Sequence, residues 1–362
     1  MRAVDCVGAL IKDERGRVYV HRRTTERRLL PGTWDIVGGH LEAGETPEQA
    51  LAREVEEETG WKVREILATV TDWEWEYEGR VRRELDYLIT VDGDLRRPRL
   101  EAGKHDASAW VGPGELDLLM EHRTDGDRRL RDIVAFAVRT RFTERLRLEP
   151  VTGPGEVLTG HEADIERLQA DPWVAQWYAG PWSTDQSVLR ATAMQASWEA
   201  DGASKWIAYE RDSGVGGEGG LDGEGGPVGG GGLVGRGELV GRGGLARLPW
   251  EREVTSQIAN LVGDDGWAAD RLELGWALRS EARGRGYATE LGRAGLEFAF
   301  STLGARAVVA FTERHNQASR AVMERLGMSF AGEIVTEGLV EGSTEVQPDA
   351  LFAVYRATAP TL

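Results

Sequence analysis

Cysteine is nearly absent. Cys6 stands alone among 362 residues, which excludes a disulfide scaffold and a cysteine-ligated zinc site. Lysine is scarce as well, with only Lys12, Lys62, Lys104 and Lys205 among 44 basic residues, an arginine excess that we read as codon bias. An excess of basic residues is also missing, since the formal net charge is −17. Residues 1–150 hold 31 acids against 26 bases (−5), and residues 151–362 hold the remaining 30 against 18 (−12). Polyanions are drawn to clustered bases and repelled by this balance, so no nucleic-acid polymer is expected as a partner. No apolar run reaches the roughly 18 residues of a membrane span. The opening MRAVDCVGALIKDER carries Asp5 and Lys12 where a secretory leader needs an apolar stretch. These absences point to a reducing cytoplasm and to no membrane partner. A hydrophobic content of 41% is enough for ordinary cores, and the length suggests two domains.

Glycine, by contrast, is abundant. Residues 211–245 hold 17 of the 47 glycines. Up to about Gly232 this stretch has too little apolar surface to offset chain entropy, so a flexible insertion at a hairpin tip is expected over about 211–237. Its end repeats itself, GGLVGRGE and then ELVGRGGL, and only one copy need sit in a sheet. A domain boundary is expected near residue 143. Asp125-Gly126 reads as a turn, RRLRDIVAFAVRTRF repeats apolar residues at helical spacing, and ERLRLEPVTGPGE alternates like a strand. The domains read as 1–142 and 144–362.

Before residue 45 the chain reads as strands (VDCVGALI, RVYVHRR, TWDIVGG). A helix follows from about Pro47 to Thr59. Thr46 suits the N-cap, Pro47 the first helical position, Gln49 completes a capping box, and Gly60 supplies a left-handed stop. Glu54, Glu57 and Glu58 share one face of that helix, where like charges repel and the later two sit near the negative end of the dipole. A divalent cation turns that repulsion into ligation, and Mg²⁺ favours carboxylates together with substrate phosphates.

The full spacing, Gly39-x5-Glu45-x7-Arg53-Glu54-Val55-Glu56-Glu57-Glu58-Thr59-Gly60-Trp61, resembles the signature of the Nudix hydrolases; only Trp61 departs, where an aliphatic residue is usual. The resemblance implies a mixed sheet between helices and Mg²⁺-assisted attack of water on a small phosphorylated substrate, a nucleoside diphosphate linked to another group. It implies that Glu54, Glu57 and Glu58 hold metal, with the Gly39 carbonyl as a further ligand. Glu45 and Arg53 pair to hold the loop on the helix, and Asp106 and Glu101 are candidates for a base outside the motif. TDWEWEYEGR reads as a strand with Trp73, Trp75 and Tyr77 on one face, either a half-buried core face or a platform for a base. His40 is a candidate pocket residue.

Farther on, LELGWALRSEARGRGYATELGRAGLEFAF reads as strand (Leu272 to Leu278), glycine turn and helix. Arg283, Gly284, Arg285, Gly286, Tyr287 and Ala288 bring small residues, two arginines and a helix N-terminus together, an arrangement suited to a pyrophosphate. Arg283-x-x-Gly286-x-Ala288 resembles the acetyl-coenzyme A motif of the GNAT acetyltransferases, and HNQASRAVMERLGMSF resembles their next motif. RLRLEPVT, DPWVAQWYAGPWS and ALFAVYRAT look like the branch containing ribosomal-protein N-terminal and some aminoglycoside acetyltransferases. The resemblance implies acetyl-coenzyme A as co-substrate and a primary amine as acceptor. Trp276, Ala277 and Leu278 then contact the acetyl group and pantetheine, and the amides of Arg283 to Ala288 the pyrophosphate. Asn316 and Ser319 contact the coenzyme or orient the leaving thiol; a plain N-cap is the other reading of Asn316. Glu273 is a candidate base; the resemblance places Trp173, Trp177, Tyr178 and Trp182 near the acceptor side, while their spacing also fits helix packing, so most are read as core. The expected fold class is α/β (α+β): an α/β/α sandwich with a mixed sheet, then a second mixed sheet flanked by helices. A nucleotide-sensing first domain without hydrolysis is the alternative to a bifunctional enzyme.

Overall fold

A computed structural model describes residues 2–122, 124–155, 158, 160–178, 180–211, 237–263, 265–342 and 345–360. The expected glycine insertion lies, from 212 to 236, outside them. The chain divides into two compact units, the first over residues 2–140 and the second over 141–154, 160–211 and 237–360. Among the described residues no helix is long and apolar enough to cross a membrane.

The first unit runs β1 (Cys6–Ile11), β2 (Val18–Arg23), β3 (Trp34–Asp35), β4 (Val37–His40), α1 (Pro47–Thr59), β5 (Lys62–Tyr77), β6 (Arg80–Asp92), β7 (His105–Val111) and α2 (Asp125–Arg139). A mixed sheet has the order β4-β1-β6-β5, with β1 and β6 parallel, and a smaller one the order β3-β2-β7. The stretch read as one strand, TWDIVGG, is split at Ile36, so that β3 pairs with β2 and β4 with β1. Every residue of β1 is buried, as its unbroken apolar run requires. α1 has the expected capping box and Gly60 at φ 76°. It buries Ala50, Leu51 and Val55 in a core with Val7, Ala9, Tyr19 and Trp61. Asp125-Gly126 is not a turn. Thr124 caps α2 by accepting from the Asp127 N–H, which draws both residues into the first helical turn.

The second unit runs β8 (Arg141–Phe142), β9 (Leu146–Pro150), α3 (Glu162–Gln169), α4 (Pro172–Ala175), α5 (Thr184–Asp201), β10 (Lys205–Glu210), β11 (Leu239–Arg247), α6 (Glu253–Val262), α7 (Asp265–Asp270), β12 (Leu272–Leu278), α8 (Tyr287–Glu297), β13 (Ala307–Glu313), α9 (Gln317–Arg325), β14 (Ser329–Leu339) and β15 (Val346–Thr358). Eight strands form one mixed sheet, β14-β15-β13-β12-β11-β10-β9-β8. The second copy of the glycine tandem is β11. Alternation along β10 shows how the faces are shared: Trp206 packs with Leu291 and Phe298 on the α8 side, and Ile207 with Ile165 and Ala191 of α3 and α5 on the other. β12 pairs with β11 over its whole length but with β13 only at Glu273–Val309, so the two parallel strands part after their first residues.

Two candidate active sites

In the first unit, α1 turns Glu54 and Glu58, four residues apart, toward the body of the unit and leaves the Glu57 side chain 53% exposed. Glu54 packs against the bare Cα of Gly39, where an added Cβ would overlap its carboxylate. Arg53 organises the loop. Its Nε and Nη2 donate to the two Glu45 oxygens at 2.8 and 3.0 Å, its Nη1 reaches Glu54 at 2.8 Å and Glu57 at 3.3 Å, and Nη2 also reaches the His40 carbonyl. Hydrogen bonding to Arg53 holds the Glu45 carboxyl below its usual range. The pairing of Glu45 with Arg53 and the packing of Glu54 against Gly39 are therefore present in the geometry, and Glu57 joins them through Arg53.

Two histidines join this cluster that the sequence did not single out. His21 of β2 and His105 of β7 are buried and stacked, with ring centres 3.6 Å apart at 15°. Their Nε2 atoms lie 3.8 and 4.0 Å from the Glu58 oxygens, too long for hydrogen bonds, and neither Nδ1 has a hydrogen-bond partner. Burial keeps both rings neutral, lowering His105 to about 4 and His21 well below its ordinary value. Glu58 thus faces neutral imidazoles and the Gly38 N–H at 3.3 Å, and burial, ahead of repulsion from Glu54, pushes it up to about 8. A cation there would relieve that cost. Oxygen donors from Glu54, Glu57, Glu58 and the Gly39 carbonyl suit Mg²⁺, and His21, Glu58 and His105, with ligand atoms within 4.8 Å of one another, form a second donor group at the same carboxylate. Asp106 and Glu101, the candidate outside bases, are ion-paired with Arg22 and Lys104. Trp73, Trp75 and Tyr77 form a half-buried face of β5, with Arg129 over Trp73 and Arg82 over Trp75.

In the second unit, a cleft of about 1420 Å³ opens where β12 and β13 part, lined by Trp276, Ala277 and Leu278. At its edge Gly284 and Gly286 take φ of 72° and 84°, which side chains disfavour. The backbone N–H groups of Gly284, Arg285 and Gly286 have no partner among the described residues, and the first turn of α8 adds orphan donors beside them. The two arginines differ. Arg283 stacks on Trp173 at 3.3 Å, whereas Arg285 is ion-paired with Glu210 at 2.6 Å, as is the Tyr287 hydroxyl by hydrogen bond. Ala288 lines the cleft, and Arg145 braces the turn by donating to the Arg285 carbonyl and to Glu290.

Asn316 caps α9: its Oδ1 accepts from the Ser319 N–H at 3.1 Å and its Nδ2 donates to Thr312, and both Asn316 and Ser319 line the cleft. Glu273, the candidate base, is bound to Lys205 at 2.9 Å. Trp173, Trp177, Tyr178 and Trp182 all line the cleft, which corrects the core reading of most of them, although Trp182 also packs against a core cluster. Asp171, unmarked by any motif, accepts from the Ser280 N–H and hydroxyl at 2.8 Å and so ties α4 to the end of β12.

A family model of the NUDIX domain matches residues 3–133, and one of the acetyltransferase (GNAT) domain matches residues 156–329. The chain is 34% identical over 127 residues to the nucleoside triphosphatase NudI of Salmonella agona (strain SL483), a match covering 33% of this chain and 88% of that protein. Similar solved structures include an acetyltransferase from Agrobacterium tumefaciens str. C58 (23% identity, 60% of this chain and 93% of that one, TM-score 0.36). Another is the MutT protein from Methanosarcina mazei Go1 (24% identity, 38% and 93%, TM-score 0.29).

Proposed function

We propose two activities for this chain, which belongs to the Nudix family through residues 3–133 and carries a GNAT acetyltransferase domain at residues 156–329: metal-assisted cleavage of a nucleoside diphosphate derivative, and acetyl transfer to a primary amine. The observation that carries the first is the cluster itself, with Glu54 against the bare Cα of Gly39, Glu58 buried at the Gly38 N–H, its pKa raised to about 8, and Glu57 joined to Glu54 through Arg53. Glu54, Glu57, Glu58 and the Gly39 carbonyl are the residues that would hold Mg²⁺, which supplies an activated water and offsets charge on the leaving phosphate. Arg53 positions Glu54 and, through Glu45, the loop that carries Gly39. The name of the Salmonella relative favours a nucleoside triphosphate, in which the group linked to the diphosphate is a further phosphate.

For the second activity the carrying observation is the run of unpaired N–H groups at residues 284–286 beside the parted strands β12 and β13. These donors suit the pyrophosphate of acetyl-coenzyme A, and the open edge of β12 at Trp276 to Leu278 suits its pantetheine arm. The acceptor nitrogen, as the free amine, then attacks the thioester carbon directly, the C–S bond breaks, and the departing thiolate takes up the proton that the nitrogen gives up. The test is the double substitution Glu57→Gln/Glu58→Gln in the full chain. Loss of diphosphate cleavage with unchanged acetyl-coenzyme A affinity by calorimetry is expected. Joint loss of both in a folded protein would refute independent sites, and tight nucleotide binding without turnover by the unsubstituted chain would favour the sensing alternative.

A further inference from the structure

Arg242 lies on β11, inside the sheet of the second unit, where alternation decides which layer each side chain meets. A Cβ added at Gly243 would overlap Leu291 of α8, so position 243 faces that helix. Arg242 therefore projects from the other face, toward α5 and the aromatic segment after α4. There its guanidinium lies 5.5 Å from the Trp182 ring centre and 6.0 Å from that of Tyr178. Nη2 donates to the Tyr178 hydroxyl at 3.4 Å, and Nη1 meets the Met194 sulfur at 3.9 Å. Arg190 of α5 covers the same Trp182 ring at 5.2 Å. One indole thus carries two guanidinium groups, both at the wall of the cleft.

Arg242 is only 7% exposed, yet no carboxylate lies within ion-pair distance of it among the described residues. Guanidinium keeps its charge when buried, and a buried charge without a counter-ion is costly. Of the carboxylates that line the cleft, Glu273 is committed to Lys205 and Glu290 to Arg145. Lys205 in turn feels Arg242, which adds to burial in lowering its pKa. The charges here sum to an excess of one cation before Arg190 is counted.

We propose that the second cleft takes as its acetyl acceptor an amine that also carries an anionic group, a carboxylate or a phosphate, held by Arg242 and Arg190 against the Trp182 and Tyr178 rings. This rests on the transferase reading above and narrows it. Both groups present oxygens that accept paired N–H bonds from one guanidinium, and the rings offer apolar cover to the body of the same molecule. A polycationic amine is disfavoured at this wall by like charge.

The test uses the full chain saturated with coenzyme A, whose binding is first measured by calorimetry. Phenylalanine (carboxylate), tyramine O-phosphate (phosphate) and phenylalaninamide (no anionic group) are then titrated while tryptophan fluorescence is followed. At least one anionic probe is expected to bind about 10- to 100-fold tighter than the amide, and the carboxylate and phosphate arms identify which anion is preferred. Arg242→Met is expected to remove that advantage and Arg242→Lys to restore part of it, with coenzyme A affinity unchanged in both. Arg190 is exposed, so Arg190→Ala provides a variant whose effect does not depend on refolding the core; a several-fold weakening is expected. Equal binding of anion and amide, absence of anion binding, or unaltered anion binding in Arg242→Met or Arg190→Ala overturns the assignment while leaving acetyl transfer intact. Failure of coenzyme A to bind the unsubstituted chain overturns the transferase reading and this assignment together.

Discussion

Replacing Glu58 by glutamine removes the one titration in the first unit whose burden is concentrated at the glutamate cluster. The side chain is 7% exposed, and burial raises its pKa from an ordinary 4.5 to about 8. Below pH 4.5 both the folded and unfolded chains keep this proton. Between 4.5 and 8 the unfolded chain has released it while the folded chain retains it, so folding stability falls as pH rises, by about 1.4 kcal/mol per pH unit. From pH 5 to 7 the loss is about 3 kcal/mol, on the order of 10 °C in melting temperature for a unit of this size. Glu58→Gln has no proton to hold. The melting temperature of the variant minus that of the parent should therefore grow by about that amount across the interval, in scanning calorimetry of the full chain with EDTA. The subtraction cancels the other buried acids, including Asp86, raised to about 6 by its own burial. Mg²⁺ that takes Glu58 as a ligand holds it ionised, so adding the ion should flatten the slope of the parent and leave the variant unchanged. A difference that stays constant from pH 5 to 7 would refute the account of a carboxylate held protonated by burial.

Gly39→Ala inserts a methyl group where the Glu54 carboxylate rests, so calorimetry should find Mg²⁺ binding weakened about 10-fold or more while acetyl-coenzyme A affinity holds. Unchanged Mg²⁺ affinity would remove Glu54 from the metal set. Gly286→Ala forces a side chain into φ 84°, a strain of about 1–2 kcal/mol, and acetyl-coenzyme A affinity should fall about 5- to 30-fold in a folded protein. If affinity is unchanged, the turn is not the pyrophosphate site.

What could be read in the sequence is what short stretches of chain encode. Thr46, Gln49 and Gly60 punctuate α1 within fifteen residues, and the structure places the helix between them, at Pro47–Thr59. Leu272–Leu278 and the helix after Gly286 were legible for the same reason, since alternation and a positive-φ glycine act locally. Asp125-Gly126 misled because the pair serves both a turn and a first helical turn, and the capping Thr124 decides between them. His21, Glu58 and His105 come from two strands and a helix, and no spacing in a single sequence joins positions 84 residues apart. Trp173, Trp177, Tyr178 and Trp182 carry a spacing that fits helix packing, but α4 ends at Ala175, so the segment after it lines a cleft instead of burying a stripe.

Charge is used differently in the two units, and only its partners reveal how. Arg283 and Arg285 look equivalent in sequence, each beside a glycine of one turn. Glu210 and Tyr287 claim Arg285, so the anion binding proposed for that turn would fall to its backbone N–H groups, unpartnered among the described residues, and to Arg283. Backbone donors are fixed in place and lose no side-chain entropy on binding, whereas an arginine already paired must first exchange one anion for another. Arg242 is the reverse case. Nothing in LVGRGGL marks it out from the arginine of the preceding copy, yet the sheet buries it with no carboxylate within ion-pair distance among the described residues. In a chain with 17 more acids than bases, this buried guanidinium has no acid within ion-pair distance among the described residues, and that imbalance is the reason for proposing the acceptor as its counter-ion.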